Sequence, residues 1–445
     1  MAGGGDVSVA PPAPQQLGFW MTLALVMGTM IGSGVFLLPA SLAPYGWNAL
    51  YGWLITIGGA TCLALVLARL VAAMPSAGGL FAIIGEAFGP LVAFVVAWAF
   101  QFGVWVGIAA LASAAVSYAS AFLPGIAAGD GVAVLAAGAI VWIVTGINLL
   151  GAHSAGRLQI AALLLKSLPL IAVGGLGLAL FLSGAPATTP YAASDISLGS
   201  IAASAALCLW AMTGFEAAPT SQSRIANAKV VVPRALIVGA LATGAIYIGI
   251  SLAVIAYLPA ERLGASNAPF ADFIAAHWAA GPALLVALFA AISAIGSLNG
   301  NVIMGSEVPR DLADAGQAPR WLARSDACNT PRHSLLLSAG VVSGLLLLNA
   351  SSGARELFTF MALLAASSTL VFYFACAAAL AWFVLKRRIA SSAGYNAAML
   401  IGLAYSVWTF YGSGLRASGW TVLLVALGIP LYLLIGRQKP VIPAE

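Results

Sequence analysis

Twelve stretches of about twenty consecutive apolar residues decide what this chain can become. They run over 18–42, 46–71, 87–123, 131–150, 158–182, 201–220, 232–258, 282–304, 334–349, 357–384, 397–411 and 419–435, and a helix needs about 20 such residues to cross the hydrocarbon core of a bilayer. Of the 445 residues 62% are hydrophobic and 7% charged, which excludes a water-soluble domain with a charged surface. The pattern predicts an all-α membrane protein of twelve transmembrane helices whose first partner is the lipid bilayer.

The basic residues orient it. With a cytoplasmic N-terminus, 15 of the 18 Lys and Arg fall on the cytoplasmic side or in helices entered from it, and only Arg262, Arg355 and Arg416 fall opposite. Both termini are therefore expected in the cytoplasm. The net charge of +5 is then topological and gives no reason to invoke nucleic acid. Residues 1–16, rich in Gly and Pro, read as a disordered tail without the basic region of a signal peptide, and 438–445 as a second tail. Cys62, Cys208, Cys328 and Cys376 are scattered, and His153, His277 and His333 lack partner spacing, so neither a disulfide framework nor a metal site is expected, nor any cofactor.

Two spans carry a weak point. Met30-Ile31-Gly32-Ser33-Gly34 interrupts the first, and glycine costs a helix interior roughly 1 kcal/mol against alanine. The sixth has Trp210, Thr213, Gly214 and then Glu216, the one acid inside any span. An unwound helix in hydrocarbon survives only where protein or a cavity receives its freed N–H and C=O groups. The natural client is a small polar ligand, with a carboxylate on the amides of the second half-helix and an ammonium on the carbonyls of the first. Four intact spans separate the two breaks, which predicts two five-helix units, 17–183 and 199–384, related as an inverted repeat, with helices eleven and twelve (394–437) added.

Other polar residues are read as follows. Lys166 lies nine residues past Arg157, on the order of 13 Å into a helix starting there, too deep for easy snorkelling. Glu216 is either a proton-linked carboxylate or a structural acid bonded to freed amides. Gln101 either lines a cavity or ties two helices together; Asn299 and Asn301 of the eighth span are both within possible reach of a substrate. The segment 80–88 reads as a short interfacial helix, and 306–332 as a solvated cytoplasmic connection.

Gly32-Ser33-Gly34-Val35-Phe36 followed by Leu37-Leu38-Pro39-Ala40 resembles the first-span signature of amino acid–polyamine–organocation transporters. Supporting stretches are Pro75-Ser76-Ala77-Gly78-Gly79, Leu209-Trp210 through Gly214 and Glu216, Asn227 through Pro233-Arg234, Asp314-Ala315-Gly316 with Pro319, and Thr330-Pro331. Within that superfamily the chain looks most like the bacterial arginine/agmatine antiporters. The resemblance implies that the Ser33 and Gly34 amides, beside Ile31 and Gly32, hold a substrate carboxylate, and that the carbonyls of Met30, Trp210 and Thr213 hold its amino group. It makes Trp210 a gate and Glu216 a coupling carboxylate. It also places Lys166 where exchanging members carry an ammonium in place of a sodium ion, bridging spans one and five.

Two positions depart from the arginine transporters: Ile108 replaces a third-span asparagine and Asn301 an eighth-span tryptophan. The expected function is secondary active transport of an amino acid or amine in a bacterial inner membrane, as antiporter or proton-coupled permease, with small neutral amino acids as the alternative to arginine. Protons and a second copy of the chain, as a homodimer, are candidate partners. A channel would favour rings of like residues from several subunits, and an enzyme would need paired acid/base groups or metal ligands, neither of which converges here.

Overall fold

The structure is a computed structural model that describes residues 18–32, 34–75, 79–127, 129–150, 165–216, 225, 227–314, 316–325, 330–348 and 354–435. Both expected tails, together with Ser33, 76–78, His153, Arg157, 217–220 and Cys328, lie outside the described residues. Among those described, every regular element is a helix. In chain order they are α1 (Phe19–Met30), α2 (Gly34–Leu42), α3 (Asn48–Ala73), α4 (Leu80–Phe88), α5 (Pro90–Ala119), α6 (Asp130–Leu149), α7 (Ser167–Leu182) and α8 (Leu198–Met212). There follow α9 (Ala228–Tyr257), α10 (Ala260–Ala265), α11 (Pro269–His277), α12 (Ala280–Asp314), α13 (Arg332–Leu348), α14 (Ala354–Leu385), α15 (Ala393–Gly412) and α16 (Gly414–Ile435).

Seven of these, α3, α5, α6, α9, α12, α14 and α16, are long and apolar enough to cross a membrane. The pair α1 and α2 forms a further span bent by 48°, while α7, α8 and α13 are shorter apolar helices. Local signals set the ends. Pro90 starts α5 after Gly89, whose φ of 91° suits a residue without a Cβ. The Ser197 side chain caps α8 by accepting the Ser200 N–H at 3.2 Å.

The long, largely buried α5 forms the centre, packed on α12 and α14 and flanked by α4, α6 and α16. Polar side chains tie these helices together: the Gly305 carbonyl accepts from the Gln101 amide at 2.9 Å and from the Ser338 hydroxyl at 2.8 Å. Ser338 in turn accepts the Trp105 indole N–H at 2.9 Å. Gln101 thus joins helices rather than lining the cavity described below. Asn299 does the same for α6 and α12, accepting from Asn148 at 2.8 Å. Outward-facing leucines such as Leu415, Leu433 and Leu434 and the exposed Trp20, Trp142 and Trp420 fit contact with lipid and its interface.

Two expected segments differ. The helix at 80–88 is present, but Leu80, Ile83 and Ile84 are buried against protein, and Phe81 packs edge-on to Phe100 at 5.7 Å. Its apolar face is therefore covered by α5 and its neighbours instead of lying on lipid. The connection expected to start at 306 begins later, because α12 continues to Asp314. Glu307, Asp311 and Asp314 continue the helical spacing on a polar face, a periodicity that charge content alone obscured.

Close helix approach depends on particular glycines. A Cβ on Gly412 of α15 would fall 2.1 Å from the Ala202 carbonyl oxygen of α8, whereas one on Gly249 of α9 would meet nothing within 4 Å. Gly412→Ala is expected to cost about 1–3 kcal/mol through forced backbone displacement and to lower the unfolding temperature of detergent-purified protein by several degrees. Gly249→Ala, improving helix propensity, leaves it unchanged or higher. Equal melting of the two variants contradicts this packing.

Candidate substrate site

The α1 helix ends where its ladder runs out. The Ile31 N–H still bonds the Met27 carbonyl at 2.8 Å, and the Gly32 N–H turns back to the Met30 carbonyl at 2.7 Å. Then α2 restarts at Gly34, so its first amides have no partner within the helix. Trp210 covers this restart: a Cβ on Gly34 would lie 2.6 Å from the indole Cζ3. The indole is held edge-on by Phe358, with ring centres 5.2 Å apart. Only glycine allows the ring to sit this close to the start of α2.

The second break follows α8. Thr213 is extended, and Gly214 has a φ of 114°, in the region that favours glycine. A Cβ there would also meet the Thr29 carbonyl oxygen at 2.6 Å, so the two breaks touch backbone to backbone. The Thr29 hydroxyl lies 2.9 Å from the carbonyls of Gly214, Val26 and Leu25, and shares its single proton among them. Glu216 Oε2 accepts the Gly214 N–H and the Tyr373 hydroxyl, each at 3.0 Å, which ties the second break to α14. Lys166, buried just ahead of α7, donates from Nζ to the Gly28 carbonyl near the end of α1. A fixed cation there faces the negative end of a helix dipole.

Between the breaks lies a cavity of about 1050 Å³. Met30, Gly32, Gly34, Trp210, Thr213, Gly214, Glu216, Lys166 and Asn301 all border it. One face of α12 supplies a continuous wall, from Ser293 through Ser297, Gly300 and Asn301 to Glu307, Asp311 and Asp314. The mouth opens beside α4 and this acidic end of α12. Beyond the cavity lining, aromatic packing joins α2, α5 and α11: the Tyr118 hydroxyl donates to the Phe36 carbonyl at 2.7 Å, and the Phe36 ring meets Phe270 at 5.4 Å. Formal charge inside the cavity is inverted relative to the chain. Among the described lining residues Glu216, Glu307, Asp311 and Asp314 are acidic, and Lys166 is basic.

Three sequence expectations change. Ile108 is buried but does not line the cavity; its Cδ1 lies 3.3 Å from where a Gly305 Cβ would be, and Gly107 and Leu111 form that part of the wall. The Ile31 amide stays within the last turn of α1, and this residue does not line the cavity either. The Met30 carbonyl already accepts from the Gly32 N–H and from the Tyr247 hydroxyl at 2.9 Å, so both its acceptor positions are filled in this conformation. The Trp210 carbonyl accepts the Thr213 hydroxyl at 2.7 Å, while the Thr213 carbonyl accepts nothing among the described residues. Ser33 lies outside those residues. Sequence reasoning missed Thr29, Tyr247, Tyr373 and the acidic wall. The spacing of 307, 311 and 314 was the available signal for the last; the hydroxyls gave none, because their partners are distant in the chain.

A family model described as amino acid permease matches residues 17–435. A cadaverine/lysine antiporter of Escherichia coli is 33% identical over 369 residues, covering 81% of this chain and 82% of its own length. A putative arginine/ornithine antiporter of Bacillus subtilis is 28% identical, covering 72% and 74%. A putrescine transporter of Escherichia coli is 26% identical, covering 95% and 97%. Helical architecture, paired breaks and these similarities agree, and the chain belongs to the amino acid permease family of the amino acid–polyamine–organocation superfamily, as a multi-pass membrane transporter.

Proposed function

We propose that this protein exchanges cationic amino acids and amines across a bacterial inner membrane by alternating access, as a carrier and not as an enzyme or channel. The observation that carries this reading is the charge of the cavity: four acidic side chains against one lysine, within a chain of net charge +5. A cleft lined by one sign of charge concentrates ligands of the other sign. The similar proteins named above carry cationic compounds in their descriptions, which supports the same class here.

In this reading the chain crosses the membrane twelve times with both termini cytoplasmic, as two inverted five-helix units, 17–183 and 199–384, and two added helices. The acidic mouth then faces the cytoplasm, and the Phe36, Tyr118 and Phe270 closure seals the outside. The substrate carboxylate, when there is one, rests on the amides at the start of α2; the Thr213 carbonyl takes the amino group, and Trp210 covers both. Lys166 holds the end of α1 as a bound cation would, which makes the half-helix position dependent on its charge. Glu216 acts mainly as the acid that satisfies the freed Gly214 amide. Arginine with agmatine falls within this cationic class, and small neutral amino acids are the competing substrate set.

Proteoliposomes loaded with lysine are expected to take up labelled lysine, and empty ones far less; arginine and diamines compete, and alanine and leucine do not. Uptake of neutral amino acids alone contradicts the reading. Lys166→Ala is expected to lower exchange more than tenfold in protein that still elutes as a single species, and a wild-type rate at every pH removes its assigned role. Neutralising the mouth with Glu307→Gln, Asp311→Asn and Asp314→Asn together is expected to raise the half-saturating lysine concentration on that side several-fold at low salt, with the difference shrinking at high salt. No change at low salt contradicts electrostatic concentration of the substrate.

A further inference from the structure

Asn301 stands half-buried on the cavity face of α12, opposite Gly107 of α5. Its carboxamide can sit only one way round. One of its terminal atoms is 3.0 Å from the Ser297 carbonyl oxygen, and since a second oxygen there would be repelled, that atom is the donor Nδ2. Oδ1 is then turned across the cavity wall, 3.9 Å from the position a Gly107 Cβ would occupy, and meets no donor among the described residues. The absence of a side chain at Gly107 keeps this oxygen approachable. What Asn301 offers to the cavity is an acceptor.

Its level in the cavity is fixed by the helix. Ser297 Oγ is 3.5 Å from the position of a Gly32 Cβ, so Ser297 marks the level of the first break. Asn301 is four residues further toward the mouth, which at about 1.5 Å per residue is about 6 Å along α12. From the amino nitrogen to Nζ an extended lysine has six bonds of about 1.5 Å, and in zigzag form spans about 7 Å. That is long enough to reach the level of Asn301 from the break. Gly300 and Gly107, both on the cavity wall, leave the lane between the levels unobstructed.

We propose that Asn301 Oδ1 is the specificity-determining acceptor for the distal ammonium of a lysine-length amino acid or diamine whose first amino group sits at the helix break. This rests on the reading of the cavity as a cationic-substrate site. A single carboxamide oxygen suits the compact ammonium, whose other N–H groups turn toward the open acidic mouth; a guanidinium is better matched by a two-pronged acceptor or an aromatic face. An uncharged side chain of equal length leaves Oδ1 without a partner, a loss read as on the order of tenfold or more in affinity.

The test compares wild type, Asn301→Leu and Asn301→Asp, with affinities for L-lysine and its uncharged analogue L-norleucine measured by ligand-induced thermal shift on purified protein. Lysine exchange is followed in parallel in proteoliposomes. Asn301→Leu is expected to weaken lysine binding at least tenfold while norleucine binding holds or tightens. An unchanged lysine affinity, or equal losses for both ligands, overturns the assignment. Asn301→Asp carries the test independently: the preference for lysine over norleucine is expected to rise, and a preference that stays level or falls overturns it. A wild type that exchanges no cationic substrate removes the functional reading and this assignment with it. A wild type that exchanges lysine beside an unaffected Asn301→Leu overturns the assignment alone.

Discussion

Backbone N–H and C=O groups freed inside a bilayer must be satisfied by protein or by a cavity, and each one left alone costs several kcal/mol. Two helix breaks in this protein create such groups, and the surrounding structure is arranged to receive them. The Lys166 ammonium takes the Gly28 carbonyl, the Tyr247 hydroxyl takes the Met30 carbonyl, and Glu216 takes the Gly214 amide. Thr29 joins the two breaks directly through the Gly214 carbonyl. Among the described residues the Thr213 carbonyl accepts nothing, the first amides of α2 have no partner within their helix, and Thr213 and Gly34 border the cavity. In the proposed function, a substrate with one carboxylate and one ammonium completes the hydrogen bonding at these two places.

In the proposed exchange cycle this arrangement would link recognition to conformational change. Contacts across the breaks come from different helices: α7 through Lys166, α9 through Tyr247 and α14 through Tyr373. A ligand that bridges the first and second breaks therefore biases several helices at once, the differential binding that alternating access requires. The aromatic packing around Phe36 uses a backbone carbonyl two residues into α2, so in the proposed cycle any movement of that half-helix would be felt directly there. In the same reading, cavity charge acts earlier, by setting which ligands gather at the mouth.

The sequence made the helical class, the bent first span and the second weak point at Gly214 readable, because glycine placement within apolar runs is a local signal. Membership of the superfamily was equally readable from the Gly32-Ser33-Gly34 signature. What it hid was direction. Gln101, Asn299 and Asn301 were all polar residues on buried helices, and only the fold shows that the first two hold helices together while Asn301 presents an oxygen to the cavity. The resemblance puts Ile108 at the substrate, yet a shift of one residue along α5 puts Gly107 on the wall in its place. The acidic stripe on α12 reads as loop from sequence because the apolar run ends three residues before Glu307, although the helix continues to Asp314.

The most direct test of the central claim is a structure of the protein in a lipid nanodisc with saturating lysine. The account predicts ligand density between the start of α2, Trp210 and Thr213, with its side chain running along α12 toward Asn301. Density confined to the acidic mouth near Glu307 and Asp311, or an unfilled break region at lysine concentrations that support exchange, would contradict it.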